Sequence, residues 1–211
     1  MRQILRLLCS CVFWLLGMLL PVLPLSAQVA DSLFLRAPMS VLPLLPESSR
    51  LDMLDYYHCG QVAQAENAYG GRSRLLQLTG NFVALRLTEV SSWQLKLLPA
   101  EADTLLCCVH TVAGHSRVCF YDRQWRECRP RQVLPAASAF WKPRPDSISV
   151  LQWEDLRRPY AVATVEAALS AADNELRLAI SHFGQARADS VAAAPHLRTL
   201  RLRWNGRAFA E

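Results

Sequence analysis

Alternation of apolar and polar side chains between Arg72 and Tyr121 limits what this chain can fold into more than any other feature. The alternation is clearest in residues 83–88 and 93–98, and turn-forming residues such as Gly80-Asn81 separate the runs. A period of two puts every second side chain on the same face of a β-strand. We therefore predict an antiparallel meander of about five strands, with one face buried and the other solvated.

Further strands and a few helices are predicted around this meander. Strands are expected at residues 160–169, 175–182 and 197–204, and the last runs into Asn205-Gly206, a pair typical of a type I′ hairpin turn. Short helices are expected at residues 31–37, 151–158 and 186–194. The predicted fold class is α+β: an antiparallel β-sheet, made of the meander plus the C-terminal strands, with helices packed on one face.

One more helix is predicted just before the meander, and its ends are the best defined. Ser49, with Asp52 three residues later, is typical of a capping box at a helix start. Gly60 can adopt the left-handed conformation that ends a helix. Leu51 and Leu54 fall on one face at helical spacing, so this helix is expected to be amphipathic.

The N-terminus has the features of a secretory signal peptide in their usual order. Arg2 and Arg6 precede an apolar run at residues 7–20, prolines interrupt that run, and Ala27 is a small residue at which cleavage can occur. We predict that residues 1–27 are the signal and that residues 28–211 form a single domain. The alternative is an uncleaved membrane anchor, but the run has 14 residues whereas a spanning helix needs about 20.

Charge and hydropathy restrict the partners of the exported part. Beyond residue 27 the chain has 21 Lys plus Arg against 18 Asp plus Glu, a formal charge of +3 that gives no reason to expect nucleic acid. No second apolar segment approaches spanning length, so no transmembrane segment is predicted in the mature chain. The expected location is periplasmic or secreted, with an unknown envelope or extracellular partner.

Basic residues on the polar positions of strands could form a stripe for an anionic surface. The alternative is an ordinary solvated face that also carries Glu89 and Glu175. The basic residues concerned are Arg86, Lys96, Arg177, Arg201 and Arg203.

Several short segments together resemble an uncharacterised family of exported proteins from Bacteroides-type bacteria. Besides the signal, the segments are Leu42-Pro43, Arg50 to Tyr56, Leu97 to Pro99, Phe120 to Asp122 with Trp125, and Trp204 to Gly206. The resemblance covers nearly all of the mature chain. It implies export and a single module of unknown function, and it implies no chemistry.

Known catalytic signatures are absent from the sequence, which contains no G-x-S-x-G, H-E-x-x-H, Walker loop or C-x-x-C motif. We therefore predict a non-enzymatic exported binding or accessory module, without cofactor or metal. One alternative is a hydrolase of unrecognised type with an unmarked polar site, which a deep pocket holding a nucleophile and a base would favour. Another is a metal or redox protein built on a cysteine hairpin.

Two pairs of residues are candidate binding groups. Phe140 and Trp141 lie in a long proline-containing connection, where they could form an exposed recognition tip or fold back as a plug over the sheet. Asp52 and Asp55 lie three residues apart on the predicted helix and could serve acid–base chemistry or bind a cation. For this second pair, the alternative is a helix cap plus a solvated face next to Arg50.

Five cysteines remain beyond the signal: Cys59, Cys107, Cys108, Cys119 and Cys128. An exported setting permits disulfides, an odd number leaves at least one free thiol, and buried thiols without bridges are the alternative. Zinc could also use the hairpin that holds three of these cysteines together with His110 and His115, although their spacing matches no known zinc site.

The register of that hairpin predicts one particular pair. A two-residue turn at Ala113-Gly114, or a four-residue loop from Val112 to His115, sets Cys108 directly opposite Cys119, whereas a loop of odd length would present Cys107 to Cys119. Directly opposed residues have Cβ atoms close enough for a bridge with slight adjustment. We therefore predict a Cys108–Cys119 disulfide, with Cys107 as a free thiol pointing into the core.

Overall fold

The strands form two antiparallel sheets in a computed structural model that describes residues 27–101, 103–129 and 131–211. The larger sheet has seven strands in chain order: β1 (Gln64–Glu66), β2 (Arg72–Thr79), β3 (Phe82–Arg86), β4 (Ser91–Pro99), β5 (Thr104–Val112), β6 (His115–Tyr121) and β7 (Glu127–Arg129). The smaller sheet has the order β11-β10-β9-β8, from β8 (Val165–Leu169), β9 (Glu175–Ile180), β10 (Leu200–Trp204) and β11 (Phe209–Ala210). The predicted signal lies outside the described residues, apart from Ala27.

Helices flank the sheets: α1 (Ala27–Leu35), α2 (Glu47–His58), α3 (Val150–Arg157) and α4 (Arg187–Ala193). Short 3₁₀ turns lie at Ala137–Phe140, Arg158–Tyr160 and Ala194–His196. Within the described ranges, no helix has both the length and the apolar character needed to cross a membrane. The α+β class and the five-stranded meander between Arg72 and Tyr121, now β2 to β6, are confirmed.

Both faces of the larger sheet are buried in its centre, so the prediction of one solvated face is wrong there. On one face Leu85 and Leu95 pack with α1 and α2, and on the other face Ala84 and Val109 pack with the smaller sheet. The chain is therefore layered as helices, larger sheet and smaller sheet. Lys96 occupies a position predicted to be polar and solvated, yet it is 1% exposed because the smaller sheet covers it.

Polar side chains of the larger sheet hold the smaller sheet by bonding to its backbone. Gln94 Oε1 accepts from Leu169 N–H at 2.8 Å, and Ser116 Oγ accepts from Ala167 N–H at 2.8 Å. Lys96 Nζ donates to the Ala171 carbonyl at 2.9 Å. These side chains satisfy backbone groups of edge strand β8 and the turn after it, which would otherwise need water or another strand.

The basic residues predicted to form a stripe are divided between the two sheets. Arg86 lies on β3 of the larger sheet and Lys96 is buried between the sheets. On the smaller sheet, Arg177 and Arg201 share Glu175 as an ion-pair partner, at 2.8 and 4.0 Å. This mixed-charge cluster corresponds to the alternative of an ordinary solvated face that also carries acidic residues.

Helix α2 begins earlier than predicted, so the proposed capping box is wrong. Pro46 is its N-cap, and Ser49 lies inside the first turn, where its hydroxyl donates to the Glu66 carbonyl at 2.9 Å. A capping box does occur at the start of α3, between Ser149 and Gln152. Both serines have suitable spacing, but Pro46 has the extended conformation of an N-cap and its carbonyl accepts from the Arg50 N–H at 3.2 Å, so α2 starts one turn before Ser49 could cap it.

The predicted end of α2 at Gly60 is confirmed. Gly60 has φ +71°, its N–H donates to the Tyr57 carbonyl at 3.0 Å, and Gln61 N–H donates to the Tyr56 carbonyl at 2.8 Å. This is the Schellman pattern of a glycine-terminated helix. Leu54 is buried as expected.

Leu51, which was predicted to lie on the buried face of α2 beside Leu54, is 47% exposed. Arg50 is buried in the packed side of the helix instead, where it reaches the end of α1.

The turn after β10 also differs from the prediction. Trp204 pairs with Phe209, so four residues connect the strands instead of two. Asn205 Oδ1 accepts from the N–H groups of Arg207 and Ala208 at 2.9 Å each, and of the predicted turn pair only Gly206 has positive φ. A type I′ turn needs positive φ at both central residues, and the Asn205 side chain organises a longer loop instead.

Candidate functional site

A cavity of about 340 Å³ opens on the face of the larger sheet that also packs against α1. We call it the thiol cavity because two cysteines line it. Its lining residues are Ser40, Val41, Trp93, Cys108, His110, Arg117, Cys119, Tyr121, Trp125, Glu127 and Arg131. The volume is at the small end of the range for ligand sites, about 300–1,000 Å³.

Strand register brings the floor of the thiol cavity together. Trp93 on β4, His110 on β5 and Arg117 on β6 are paired in one row across the sheet. Two residues along each of the last two strands, Cys108 and Cys119 form the next row. Since side chains two apart share a face, both rows point into the same space. Cys108, His110 and Cys119 therefore lie on one face of the β5–β6 hairpin.

The loop between β6 and β7 supplies one wall. The Asp122 carboxylate accepts from the N–H groups of Gln124 at 2.9 Å and Arg126 at 3.0 Å, and from Arg126 Nε at 2.7 Å. These bonds, led by that of the Arg126 N–H, lower the pKa of Asp122. They close a tight loop in which Trp125 has φ +63°, and its indole packs 5.7 Å from the ring of Tyr121.

Two polar atoms in this wall and floor have no hydrogen-bond partner in the described part of the chain. They are Nε1 of Trp125 and Nε2 of His110, and both are shielded from solvent. Buried polar atoms in folded proteins nearly always have a partner, and leaving one unsatisfied costs about 1–3 kcal/mol. Both residues line the thiol cavity, so its wall and floor hold two polar atoms without a partner.

Three titratable groups of the thiol cavity have pKa values shifted toward their neutral forms. Burial, and then the neighbouring Cys107 and Cys119, raise the pKa of the Cys108 thiol. Burial and then Arg117 lower the pKa of His110. Burial and the thiols of Cys119 and Cys108 raise the pKa of Tyr121. Because the charged form is penalised in each case, a thiolate–imidazolium pair is not favoured here.

The predicted cysteine register is confirmed, because Cys108 and Cys119 are directly opposed in the β5–β6 ladder. Cys107 lies on the opposite face, in the core between the sheets. All five described cysteines are unbonded thiols, so the Cys108–Cys119 disulfide stays a prediction. In the described ranges, no three His, Cys, Asp or Glu side chains are arranged to hold a metal ion.

The predicted carboxylate pair on α2 does not form a joint site. Asp52 lines a cleft of about 760 Å³ between α2 and β1, which Glu66 and Arg72 also line. Asp55 is exposed, and neither aspartate has an ion-pair partner among the described residues. Arg50 is turned into the protein, away from their side of the helix.

Phe140 and Trp141 fold back onto the protein. Phe140 is fully buried, and the ring of Trp141 meets those of Trp153 and Tyr160 edge-on at 5.5 Å each. Trp141 is half-buried and lines a shallow groove of about 740 Å³, where the Arg157 guanidinium lies 5.7 Å from its ring. The two residues therefore correspond to the plug alternative and not to an exposed recognition tip. Of the two, only Trp141 retains a surface that a ligand could touch.

Arg117, Tyr121 and Trp125 are cavity residues that sequence reasoning did not select. The strand positions of Arg117 and Tyr121 were readable, since both follow from the hairpin register that placed Cys108 opposite Cys119, whereas Trp125 lies in the loop after β6. The left-handed conformation of Trp125, which aims its indole at the cavity, had no signal, because that conformation is uncommon for residues other than glycine.

Comparisons with known proteins give a family and a fold. The sequence model of a family described as "Protein of unknown function (DUF3256)" matches residues 22–209. A solved structure described as a domain of an uncharacterised protein from Porphyromonas gingivalis W83, a member of the Bacteroidetes, has a TM-score of 0.67 to this chain. The two are 23% identical over 86% of this chain and 96% of that one, which supports a shared fold. No curated protein matches the chain.

Proposed function

The chain belongs to the DUF3256 family of proteins of unknown function, and we propose that it is an exported, non-enzymatic binding module whose ligand site is the thiol cavity. The observation that carries the proposal is the presence of two shielded polar atoms without partners, Trp125 Nε1 and His110 Nε2, in one cavity wall and floor. A ligand that accepts a hydrogen bond from the indole would remove this cost.

The lining indicates the chemical class of the ligand. Trp93, Tyr121 and Trp125 provide apolar ring surfaces, and Arg117 adds a guanidinium that has no ion-pair partner among the described residues. Arg131 is also present but lies 3.4 Å from Glu127, which offsets its charge. We infer a small organic acid: an aromatic or aliphatic body between the rings, with its carboxylate toward Arg117 and the Trp125 N–H.

The protonation states favour binding over hydrolysis. A cysteine nucleophile works as the thiolate, and a histidine base activates it by taking up its proton. Here burial raises the pKa of Cys108 and lowers that of His110, so both steps are opposed. A cavity in which the Cys108 thiol and the His110 imidazole favour their neutral forms can hold an organic acid without hydrolytic chemistry.

A titration with an aromatic acid tests the ligand class. We expect 2-naphthoate to bind with one site by calorimetry, and neutral 2-naphthylmethanol to bind more weakly because it cannot pair with Arg117. Arg117→Gln should weaken 2-naphthoate binding by about tenfold or more, because a charge-assisted hydrogen bond is lost. Trp125→Phe keeps an aromatic ring, although a smaller one, but removes the indole N–H, and should weaken binding by about fivefold.

Arg123→Gln is the matched control. Arg123 is an exposed arginine in the β6–β7 loop, which also holds Trp125, but Arg123 does not line the cavity. It should bind 2-naphthoate like the unsubstituted protein. Equal binding of the acid and the alcohol, or equal losses in Arg117→Gln and Arg123→Gln, would contradict the proposed site.

Export is the second part of the proposal. In α1, Ala30, Leu33 and Phe34 are buried in the core, so cleavage after Ala27 would leave every one of these contacts in place. We expect N-terminal sequencing of the protein from its own host to begin at or near Gln28, in the periplasm or the medium. An intact Met1 in the membrane fraction would support the anchor alternative instead.

A further inference from the structure

We propose that Cys108 and Cys119 are a reversible redox pair, which forms a disulfide across β5 and β6 in the floor of the thiol cavity when an external disulfide is available. The reaction needs no bound ligand, so it is independent of the binding function proposed above. The hairpin geometry and the surroundings of the two thiols carry the inference.

The hairpin turn determines how far apart the two cysteines lie. Ala113 and Gly114 both have positive φ, +48° and +77°, and they form a two-residue turn that pairs Val112 with His115. The pair that closes such a turn is hydrogen-bonded, and the kinds of pair alternate along an antiparallel ladder. Cys108 and Cys119 are four pairs further on and are therefore hydrogen-bonded too.

A hydrogen-bonded pair of cysteines disfavours a permanent disulfide but still allows one to form. Directly opposed Cβ atoms are about 4.5–5.5 Å apart, and hydrogen-bonded pairs are at the wide end of that range. A disulfide needs Cβ atoms about 3.5–4.5 Å apart, so the strands must draw together locally. Strained disulfides are more easily reduced than ordinary structural ones, which makes the pair a reversible couple.

The surroundings select these two thiols from the five. Both line the thiol cavity, whereas Cys107 lies on the opposite face of the sheet and Cys59 and Cys128 are exposed elsewhere. Zinc fits less well, since in the described ranges no third ligand completes a metal cluster around them. Two opposed thiols without further ligands are equipped for thiol–disulfide exchange.

The exchange balances with an external disulfide, R–S–S–R, such as oxidised glutathione. Cys119 loses its proton, attacks one sulfur of R–S–S–R and releases the first thiolate RS⁻, leaving a mixed disulfide. Cys108 then loses its proton and attacks the Cys119 sulfur, which breaks the mixed disulfide and releases the second RS⁻. The two electrons end on the oxidant, and its two thiolates take up the two protons.

Glutathione redox buffers test the pair directly. The full chain in which serine replaces Cys9, Cys11, Cys59 and Cys128, so that Cys107, Cys108 and Cys119 are its remaining cysteines, is equilibrated over a range of oxidised-to-reduced ratios, acid-quenched and alkylated. We expect the oxidised protein to carry two fewer alkyl groups than the reduced protein, with a reversible midpoint inside that range, and peptide mapping to link Cys108 to Cys119. Adding Cys108→Ala should abolish the bridge and leave Cys119 as a mixed disulfide with glutathione.

Adding Cys107→Ala is the matched control, since its side chain lies on the other face, and the midpoint should not move. If this variant fails to fold, the peptide map of the chain that retains Cys107 decides the partner. Complete alkylation of Cys108 and Cys119 in the most oxidising buffer would overturn the proposal. So would a map linking Cys107, or a bridge that reduced glutathione never opens.

Discussion

Gly114→Ala should destabilise the protein by about 3–4 kcal/mol, and it should do so by forcing the two sheets apart. Gly114 sits at the tip of the β5–β6 hairpin with φ +77°, and a Cβ there would lie 2.0 Å from Ser181 Oγ and 2.7 Å from Phe183 Cβ. The same tip is tied to the smaller sheet's side, since Thr164 Oγ1 donates to the Gly114 carbonyl at 2.8 Å. A methyl group therefore adds a steric clash to the usual penalty of a left-handed residue.

Gly184→Ala separates these two contributions. Gly184 has the same φ of +77°, but a Cβ there meets nothing within 4 Å. Its substitution should cost only about 1–2 kcal/mol, from backbone strain alone. Urea denaturation of both variants gives the difference between them, and equal midpoints would mean that the hairpin tip does not approach Ser181 as closely as the structure has it.

Arg50→Ala should cost about 3 kcal/mol or more, although arginine is usually a surface residue. Its side chain is almost fully buried, and Nη1 donates to the carbonyls of Phe34 and Ala37, just where α1 ends. The cation lies at the negative end of the α1 dipole and joins α1 to α2. Truncation leaves two shielded carbonyls without a donor and opens a cavity.

Arg36→Ala is the matched control. Arg36 lies next to the same helix end but is exposed, and among the described residues its side chain bonds only to Ser32 of its own helix. It should change the free energy of unfolding by about 0.5 kcal/mol or less. Arg50→Lys should recover part of the loss, since an ammonium can still donate to one of the carbonyls. Thermal unfolding of the three variants is the measurement, and similar losses for Arg50→Ala and Arg36→Ala would argue against the buried contact.

The thiol cavity shows where prediction from sequence stopped for the candidate site. The length of a hairpin turn determines which residues pair along the two strands. The sequence was therefore enough to place Cys108 opposite Cys119. The wall formed by Trp125 was not predictable, since it depends on a loop that the Asp122 carboxylate closes. Phe140 and Trp141 were predicted as binding groups because of their residue types, but Phe140 is buried in the core.

Local interactions account for what the sequence determined by itself: the α+β class, the meander, the end of α2 at Gly60 and the hairpin register. Each depends on residues close in the chain, through the period of two, positive φ at glycine or a turn of known length. Tertiary structure alone decided which surfaces are covered. Lys96 and Gln94 read as solvated strand positions, yet they bond to backbone at the end of β8, about 75 residues away, because an edge strand needs partners for its polar groups. Arg50, not Leu51, packs inward on α2 because the carbonyls at the end of α1 need a hydrogen-bond donor. The spacing of apolar residues along α2 contains no information about those carbonyls.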